Sequence, residues 1–247
     1  MKLSENQLKR YHKHLILENF GLQKQLKLLN SKVIIIGIGG LGSTAAYYLA
    51  ASGVGTIGLV DADLVNLSNL QRQIIHFFDD LQKPKVNSAK EKLLSLNPEL
   101  KVISYPVYLD KKNIRQIVKD FDFIIDATDN FETKFLINST CVSLKKPFSH
   151  AGVMEFSGQT MTIVPGKSAC YQCVFREIPK IGNEHLQKGI FSTVPGIMGL
   201  IQATEAIKYL TNTGSLLINK LLTFDALTSS FRKISVKRNV SCKICAS

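Results

Sequence analysis

A run of branched apolar residues followed by closely spaced glycines is the feature of this chain that points most directly to chemistry. Residues 33–42 read V-I-I-I-G-I-G-G-L-G, so a buried strand leads into a turn with Gly37, Gly39, Gly40 and Gly42. Glycines let the backbone turn tightly and approach a phosphate, and the free N–H groups of the following helix attract negative charge. The pattern predicts a nucleotide site, although strand–glycine–helix turns also occur for packing alone.

A polar segment after the second predicted strand supplies further side chains suited to a nucleotide. Asp61 follows the glycine turn by about 20 residues, where a carboxylate can accept hydrogen bonds from ribose hydroxyls. Asp63 and Asn69 are candidate contacts to the ribose or the phosphates, and Arg72 can hold phosphate oxygens with its planar fork. Lys85, at the start of the next predicted helix, can add a compact positive charge or can be an ordinary solvated lysine.

Two carboxylates follow the fourth predicted strand, in the segment F-I-I-D-A-T-D-N of residues 123–130. Ligands of open α/β folds bind at the carboxyl ends of the strands, so these side chains face the same edge as the glycine turn. A carboxylate beside a triphosphate requires a cation between them, which makes Asp129 the natural magnesium ligand. Asn130 is a further candidate nucleotide contact, while Asp126 and Asn130 can equally cap the next helix.

Cysteine spacing gives the second strong signal. Four of the five cysteines form two C-x-x-C pairs, Cys170 with Cys173 and Cys242 with Cys245. Two intervening residues allow both thiolates of a pair to bind one metal ion, and two such pairs predict a closed tetrahedral zinc site that ties the C-terminal tail to the body. Disulfides and a thioredoxin-type redox pair are the alternatives, and a small-residue context makes Cys141 a packing residue.

The composition of the chain indicates what class of protein this is but does not identify its partners. The 247 residues are 45% hydrophobic and can bury a sizeable core without crosslinks. The N-terminus lacks the apolar stretch of a signal peptide and no segment is long enough to span a bilayer, so we expect a cytoplasmic protein with no membrane contact. The formal net charge of +12 favours acidic partners, but scattered lysines make nucleic-acid binding a minor alternative.

Apolar periodicity predicts the elements that position these residues. After a helical segment over residues 1–30, strands and helices alternate through residue 145, which favours a parallel sheet with helices on both faces. Strands over 148–153 and 159–164, joined through a turn at Gly158, add antiparallel pairing. A long loop over 176–194, a helix over 196–211 and two last strands complete a Rossmann-like mixed sheet, with a parallel core and antiparallel C-terminal strands.

Taken together, these motifs resemble one family across nearly the whole chain. G-x-G-G-L-G, D-x-D-x-V-x-x-S-N-L-x-R-Q, K-P-K, A-T-D-N and the paired C-x-x-C motifs look like the MoeB/ThiF group of ubiquitin-activating-type adenylyltransferases. The resemblance implies an enzyme that binds Mg-ATP and joins AMP to the C-terminal Gly-Gly carboxylate of a small ubiquitin-like sulfur carrier protein, releasing pyrophosphate in molybdopterin or thiamine-thiazole biosynthesis. Arg72, Lys85 and Asp129 would then be catalytic.

The resemblance also implies an organisation. Residues 1–247 would form a single adenylation domain, with the N-terminal helical segment over 1–30, a nucleotide-binding core over 31–147 and a carrier-binding and zinc-binding part over 148–247. The enzyme would act as a homodimer that uses ATP, Mg²⁺ and Zn²⁺.

Two departures from the family pattern carry consequences. In the N-terminal segment, Lys13 stands where relatives have an arginine thought to reach the phosphates of the partner subunit, and lysine keeps the charge but loses the bidentate fork. In the long loop, E-H-L-Q-K-G at residues 184–189 replaces a stretch where relatives commonly carry a reactive cysteine. We therefore expect no covalent cysteine intermediate on this chain.

Three other functions compete with carrier adenylation. The same chemistry could serve a small carboxylate or a carboxylated tRNA nucleoside as the acceptor. The glycine turn and Asp61 could instead hold NAD in a dehydrogenase, but Arg72, Lys85 and Asp129 suit a magnesium-bound triphosphate and not hydride transfer. A scaffold that binds nucleotide without catalysis is the last alternative.

Overall fold

A single eight-stranded sheet runs through the computed structural model, which describes residues 3–178 and 189–246. The strands are β1 (Lys32–Ile36), β2 (Thr56–Val60), β3 (Lys101–Tyr105), β4 (Phe123–Asp126), β5 (Phe148–Met154), β6 (Ser157–Ile163), β7 (Lys220–Asp225) and β8 (Ser230–Ser235). Their order is β3-β2-β1-β4-β5-β6-β7-β8. Pairing is parallel from β3 to β5 and antiparallel from β5 to β8, which confirms the predicted mixed sheet.

Helices connect and cover the strands. Along the described chain they are α1 (Glu5–Leu15), α2 (Gly21–Leu29), α3 (Gly40–Ser52), α4 (Lys85–Leu96), α5 (Ile114–Val118), α6 (Phe131–Ser143), α7 (Tyr171–Val174) and α8 (Thr193–Thr211). α8 begins three residues earlier than the sequence predicted, and the short α7 had no periodic signal because it spans only four residues. No helix in the described part of the chain combines the length and apolar character needed to cross a membrane.

The core lies in two layers, one on each face of the sheet. Alternate side chains of β1 face opposite ways, so Val33 and Ile35 join a cluster with α3, α4 and α8, while Ile34 and Ile36 join a cluster with α5 and α6. Cys170, Cys242 and Cys245 belong to the second cluster. Helices therefore cover both faces, as the alternating pattern predicted.

The prediction of a hairpin turn at Gly158 was wrong. β5 and β6 pair as far as Met154 and Ser157, so the turn lies at residues 155 and 156, where Glu155 has a positive φ of 52°. Gly158 lies inside β6, and a Cβ there would come within 2.5 Å of Met198 Cγ on α8. The glycine is needed for the close approach of α8 to the sheet and not for reversing the chain.

Candidate functional site

The carboxyl ends of three neighbouring strands meet at one edge of the sheet. Gly37 follows β1 and donates its N–H to the Val60 carbonyl at the end of β2, at 2.8 Å. Ala127 follows β4 and donates its N–H to the Ile36 carbonyl at the end of β1, at 2.9 Å. These bonds continue the pairing one residue beyond the ends of β1 and β4. They bring the glycine turn, Asp61 and residues 127–130 together.

Close packing explains three of the four glycines in the turn, and the first of them is Gly40, where a Cβ would lie 2.9 Å from Pro195 Cβ. Gly37 has a φ of +93°, and a Cβ on it would lie 2.6 Å from the Ala127 carbonyl oxygen. A Cβ on Gly42 would lie 2.0 Å from the Gly37 carbonyl oxygen. A Cβ on Gly39, in contrast, would meet only the Gln73 side chain at 3.6 Å. The turn brings α3, with Gly39 as its N-cap, up to the sheet edge. Its first N–H groups make no hydrogen bond with the described residues, which suits an anion.

Asp61 is tied directly to this turn. Its Oδ2 accepts a hydrogen bond from the Ile38 N–H at 2.7 Å, and its Oδ1 accepts one from the Asp63 N–H at 2.9 Å. Burial raises the pKa of Asp61, while Lys85 and both N–H groups oppose that rise. The half-buried carboxylate can therefore both shape the turn and accept hydrogen bonds from a ligand.

Lys85 is a buried lysine, which excludes the solvated alternative. Its side chain is 6% exposed, and its Nζ forms an ion pair with Asp63 Oδ2 at 2.8 Å. Asp63 is 51% exposed and also lies 3.4 Å from the Tyr108 hydroxyl, which donates to its Oδ1. The ammonium is thus held beside Asp61 at the sheet edge, where an incoming phosphate could replace the half-exposed Asp63 as its partner.

The segment after Asp61 folds back over the glycine turn. A Cβ on Gly40 would lie 3.4 Å from the Arg72 carbonyl oxygen, so the Arg72 backbone runs alongside the start of α3. Its guanidinium donates to the Ser68 carbonyl at 3.1 Å, and its other N–H donors make no hydrogen bond with the described residues. Asn69 Oδ1 accepts the Asn66 N–H at 3.2 Å, so Asn69 helps to close a short 3-10 turn.

His76 is a supporting residue that sequence reasoning missed. Its Nε2 lies 2.9 Å from the Ile38 carbonyl oxygen and its Nδ1 lies 2.8 Å from Ser88 Oγ. Burial lowers the pKa of His76, which keeps the ring neutral, so Nε2 must carry the proton that binds the carbonyl. An isolated histidine in an irregular segment gives no periodic signal, so only the structure reveals its role in holding the turn.

The two carboxylates after β4 have different surroundings. Asp129 is exposed and accepts no hydrogen bond from the described residues. Asn130 is the N-cap of α6, because its side chain accepts the Thr133 N–H at 2.9 Å. Asp126 does not cap that helix; it is buried in an ion pair with Lys134 and a hydrogen bond with His150. Of Asp61, Asp63, Asp126 and Asp129, only Asp129 is exposed and without a hydrogen bond or ion pair to the described residues.

The four paired cysteines form one cluster on the opposite face of the sheet from α3. Their sulfur atoms lie within 4.8 Å of one another. The Sγ–Sγ distances are 3.8 Å for Cys170–Cys173, 3.6 Å for Cys170–Cys242 and 3.4 Å for Cys173–Cys245. Zn–S bonds of about 2.3 Å in a tetrahedron place sulfurs about 3.8 Å apart, so the cluster fits a single metal ion.

Three further predictions concern residues outside the sheet edge. Cys141 is fully buried in α6, as expected for a packing residue, and burial raises the pKa of its thiol. Lys13 is exposed on α1, away from the glycine turn. The segment at residues 184–189, where relatives commonly carry a reactive cysteine, lies outside the described residues except for Gly189.

Comparison with known proteins identifies relatives along the full length. The ThiF family profile matches residues 11–244. The SAMP-activating enzyme E1 of Haloferax volcanii is 40% identical over 99% of this chain and 91% of its own length. The sulfur carrier protein adenylyltransferase of Thermus thermophilus is 37% identical over 99% of this chain and 93% of its own.

A solved structure is also similar in fold. The chain matches Escherichia coli MccB, in a crystal structure with ATP, with a TM-score of 0.82 at 27% identity, covering 91% of this chain and 69% of MccB. The resemblance inferred from the motifs is thereby confirmed, and this chain belongs to the ThiF family.

Proposed function

We propose that this chain transfers AMP from ATP to the C-terminal carboxylate of a ubiquitin-like sulfur carrier protein that ends in Gly-Gly, and releases pyrophosphate. The observation that carries the proposal is the meeting of an anion-binding glycine turn, a buried lysine and an open carboxylate at one sheet edge. Relatives named as a sulfur carrier protein adenylyltransferase and a SAMP-activating enzyme support the choice of acceptor.

Each residue at this edge has a role that its geometry suits. The carrier carboxylate attacks the α-phosphorus in line, so the site acts by positioning the reactants and neutralising phosphate charge. Lys85 and Arg72 would bind the phosphates, and Asp61 would accept ribose hydrogen bonds. Asn69 and Asn130 are further candidate contacts to the nucleotide. The side-chain oxygen of each already accepts a backbone N–H, Asn69 in a 3-10 turn and Asn130 at the start of α6.

Asp129 would hold magnesium. Mg²⁺ in nucleotide sites is bound by one or two carboxylates together with phosphate oxygens and water. Asp129 fits that requirement because its carboxylate is exposed and makes no hydrogen bond or ion pair with the described residues, whereas Asp63 is paired with Lys85. The bound cation would neutralise charge between the phosphates and the protein.

Lys13 can take part only from another subunit. Arg10, on the same helix, donates to the Leu96 carbonyl at the end of α4, and Asn97 bonds to Ala50 near the end of α3. α1 therefore lies at the far end of α3 from the glycine turn. The 13 residues of α3 span roughly 20 Å, which no lysine side chain bridges. We propose a homodimer in which Lys13 reaches the phosphates bound by the partner.

Mixing two inactive variants tests this arrangement. A dimer formed from Lys13→Ala and Asp129→Ala subunits contains one site with both residues intact. We expect mixing and subunit exchange to restore activity that neither variant has alone. Failure of mixed dimers to recover any activity would exclude a role for Lys13 across the interface.

The cysteine cluster would hold zinc as a structural ion. Four thiolates leave no open position for substrate, and the site joins α7 to the C-terminal tail. With four cysteines in the cluster and Cys141 buried, none of the five cysteines of the chain is free to attack an acyl-adenylate. The proposed reaction therefore has no covalent protein intermediate, and sulfur comes from another protein.

The domain, pathway and location are part of the same proposal. Residues 1–247 act as one adenylation domain in the cytoplasm, and the carrier serves molybdopterin or thiamine-thiazole biosynthesis. The second candidate acceptor is a different carboxylate, because the fold is shared with MccB, which was crystallised with MccA and an ATP analogue in one structure.

Pyrophosphate exchange into ATP tests the function directly. The purified chain is supplied in turn with a Gly-Gly-ended carrier, small carboxylates and tRNA, and we expect exchange only with the carrier. Asp129→Ala should abolish exchange with the zinc content unchanged. Asp120→Ala is the matched control, since Asp120 is also exposed but lies before β4 at the opposite sheet edge. Exchange with another acceptor alone would replace the carrier as the substrate.

A further inference from the structure

The proposed reaction has no role yet for a buried charged group beneath the sheet edge. Lys134, in the first turn of α6, has a side chain only 6% exposed, and its Nζ lies 3.4 Å from Asp126 Oδ1. The ammonium also donates to the Thr128 carbonyl at 2.6 Å and to the Ala151 carbonyl at 2.7 Å. These three acceptors match the three N–H donors of a lysine, so the charge is fully satisfied inside the protein.

Asp126 completes this arrangement from the other side. Its Oδ1 accepts hydrogen bonds from the Thr128 N–H at 3.1 Å and the Thr128 hydroxyl at 2.7 Å. Its Oδ2 lies 2.9 Å from His150 Nδ1. Burial alone would raise the pKa of Asp126, but Lys134 and His150 lower it to about 2, so the carboxylate stays ionised. His150 must then carry its proton on Nδ1.

The result is a short loop fixed by bonds on both sides of one residue. Thr128 is bound through its N–H and hydroxyl to Asp126 and through its carbonyl to Lys134. The next residue is Asp129, and Asn130 then caps α6, the helix that carries Lys134. The backbone on either side of Asp129 is therefore held while its carboxylate remains exposed.

We propose that Lys134 is a positioning residue that fixes the place of the Asp129 carboxylate by anchoring the Thr128 carbonyl to β5. The inference rests on the proposed function only in that Asp129 is taken as the metal ligand. A buried ion pair that only stabilised the fold would need no bond to the Thr128 carbonyl. The ammonium instead donates two of its three hydrogen bonds to main-chain carbonyl oxygens, and one of these belongs to Thr128, the residue immediately before Asp129.

The test measures metal binding separately from catalysis. Mn²⁺ substitutes for Mg²⁺ and its binding is followed by electron paramagnetic resonance in the presence of a non-hydrolysable ATP analogue. We expect Lys134→Met to weaken Mn²⁺ binding by at least about tenfold, the range found when groups that orient a metal ligand are removed. Affinity for the ATP analogue without metal should change far less.

Two further variants separate positioning from folding. Lys134→Met leaves Asp126 buried without its cation, so the double variant Lys134→Met with Asp126→Asn removes both charges and keeps the shape. Lys208→Met is the matched control, because Lys208 pairs with the buried Glu205 on α8 and does not contact the Asp129 loop. It should lower the unfolding temperature and leave Mn²⁺ affinity unchanged.

Each outcome supports or overturns the inference. Weaker Mn²⁺ binding in a folded Lys134 variant, with normal binding in Lys208→Met, supports it. Mn²⁺ affinity within twofold of wild type in a folded single or double Lys134 variant overturns it, as does a wild-type chain that binds no Mn²⁺ with the analogue. A wild-type chain that binds Mn²⁺ but catalyses no exchange refutes the proposed function and leaves the positioning role standing.

Discussion

Replacing Lys85 with methionine should greatly reduce the adenylation activity while it leaves the stability of the fold nearly unchanged. Methionine has nearly the length and volume of the lysine stem, so packing around the buried side chain changes little. The abandoned partner, Asp63, is 51% exposed and can be hydrated by water. Loss of a pair that is exposed on one side costs no more than about 1 kcal/mol. The fold should therefore survive.

The catalytic cost should be much larger. Removing one preorganised donor that stabilises developing charge costs about 2.7–4 kcal/mol, or roughly 10²–10³ in rate. We expect pyrophosphate exchange by Lys85→Met to fall by that factor, with the free energy of unfolding in urea reduced by about 1 kcal/mol or less. Both quantities are measured on the same preparation, at saturating carrier and ATP.

Asp63→Asn is the matched control for breaking the ion pair. It separates the partners but leaves the ammonium in place, so exchange should fall by less than about tenfold, which is 1.4 kcal/mol. The reasoning is refuted if Lys85→Met retains wild-type exchange. It is also refuted if the two variants lose exchange equally, because the pair and not the free ammonium would then be what matters.

Three other predictions follow from the glycine turn, the cysteine cluster and the buried histidine. Gly42→Ala puts a methyl group 2.0 Å from the Gly37 carbonyl, so we expect destabilisation of at least about 1–3 kcal/mol in urea and loss of ATP binding by calorimetry; an unchanged urea midpoint would contradict this. Cys242→Ser should lose bound zinc by metal analysis and lower the unfolding temperature, whereas unchanged zinc content would exclude this cluster as the site. Burial and the charge of Lys134 lower the pKa of His150 from 6.5 to about 4, although Asp126 acts in the opposite direction. Between pH 6.5 and pH 4 the unfolded chain therefore binds more protons than the folded one, so the stability of the fold should decrease as the pH falls through this range. His150→Asn leaves the four clustered cysteines in place and should make the free energy of unfolding depend less on pH. An equal pH dependence in this variant and in the wild type would exclude His150 as its source.

Local patterns were enough to predict the parallel half of the fold. The run of Val33 to Ile36 is buried on both faces of the sheet, so it reads as a continuous apolar strand. Gly37 to Gly42 mark the turn by their spacing, and the C-x-x-C spacing shows that each pair can share a metal. Each of these signals lies within about ten residues, so tertiary contacts were not needed to find it.

The rest depends on contacts between distant segments. Gly158 reads as a turn because glycine favours turns, yet the approach of Met198 explains its presence. The ion pair of Asp126 with Lys134 and its bond to His150 join β4, α6 and β5. The sequence contains one indication that Lys134 is buried. Lys134, Ile137 and Cys141 share one face of α6 at three-to-four spacing, and all three are buried.

The position of α8 has a consequence for how the chain can be divided. This helix lies between β6 and β7 in the chain, yet it covers α3, where a Cβ on Gly199 would come 2.1 Å from the Leu41 carbonyl oxygen. Pro195, near its start, lies against Gly40 in the glycine turn. A fragment ending at residue 147 would therefore expose the apolar side of α3 to water and aggregate. We therefore expect the chain to tolerate splitting, domain exchange or insertion of a reporter protein only outside the stretch from Gly40 to the end of α8, because the two ends of that stretch pack against each other.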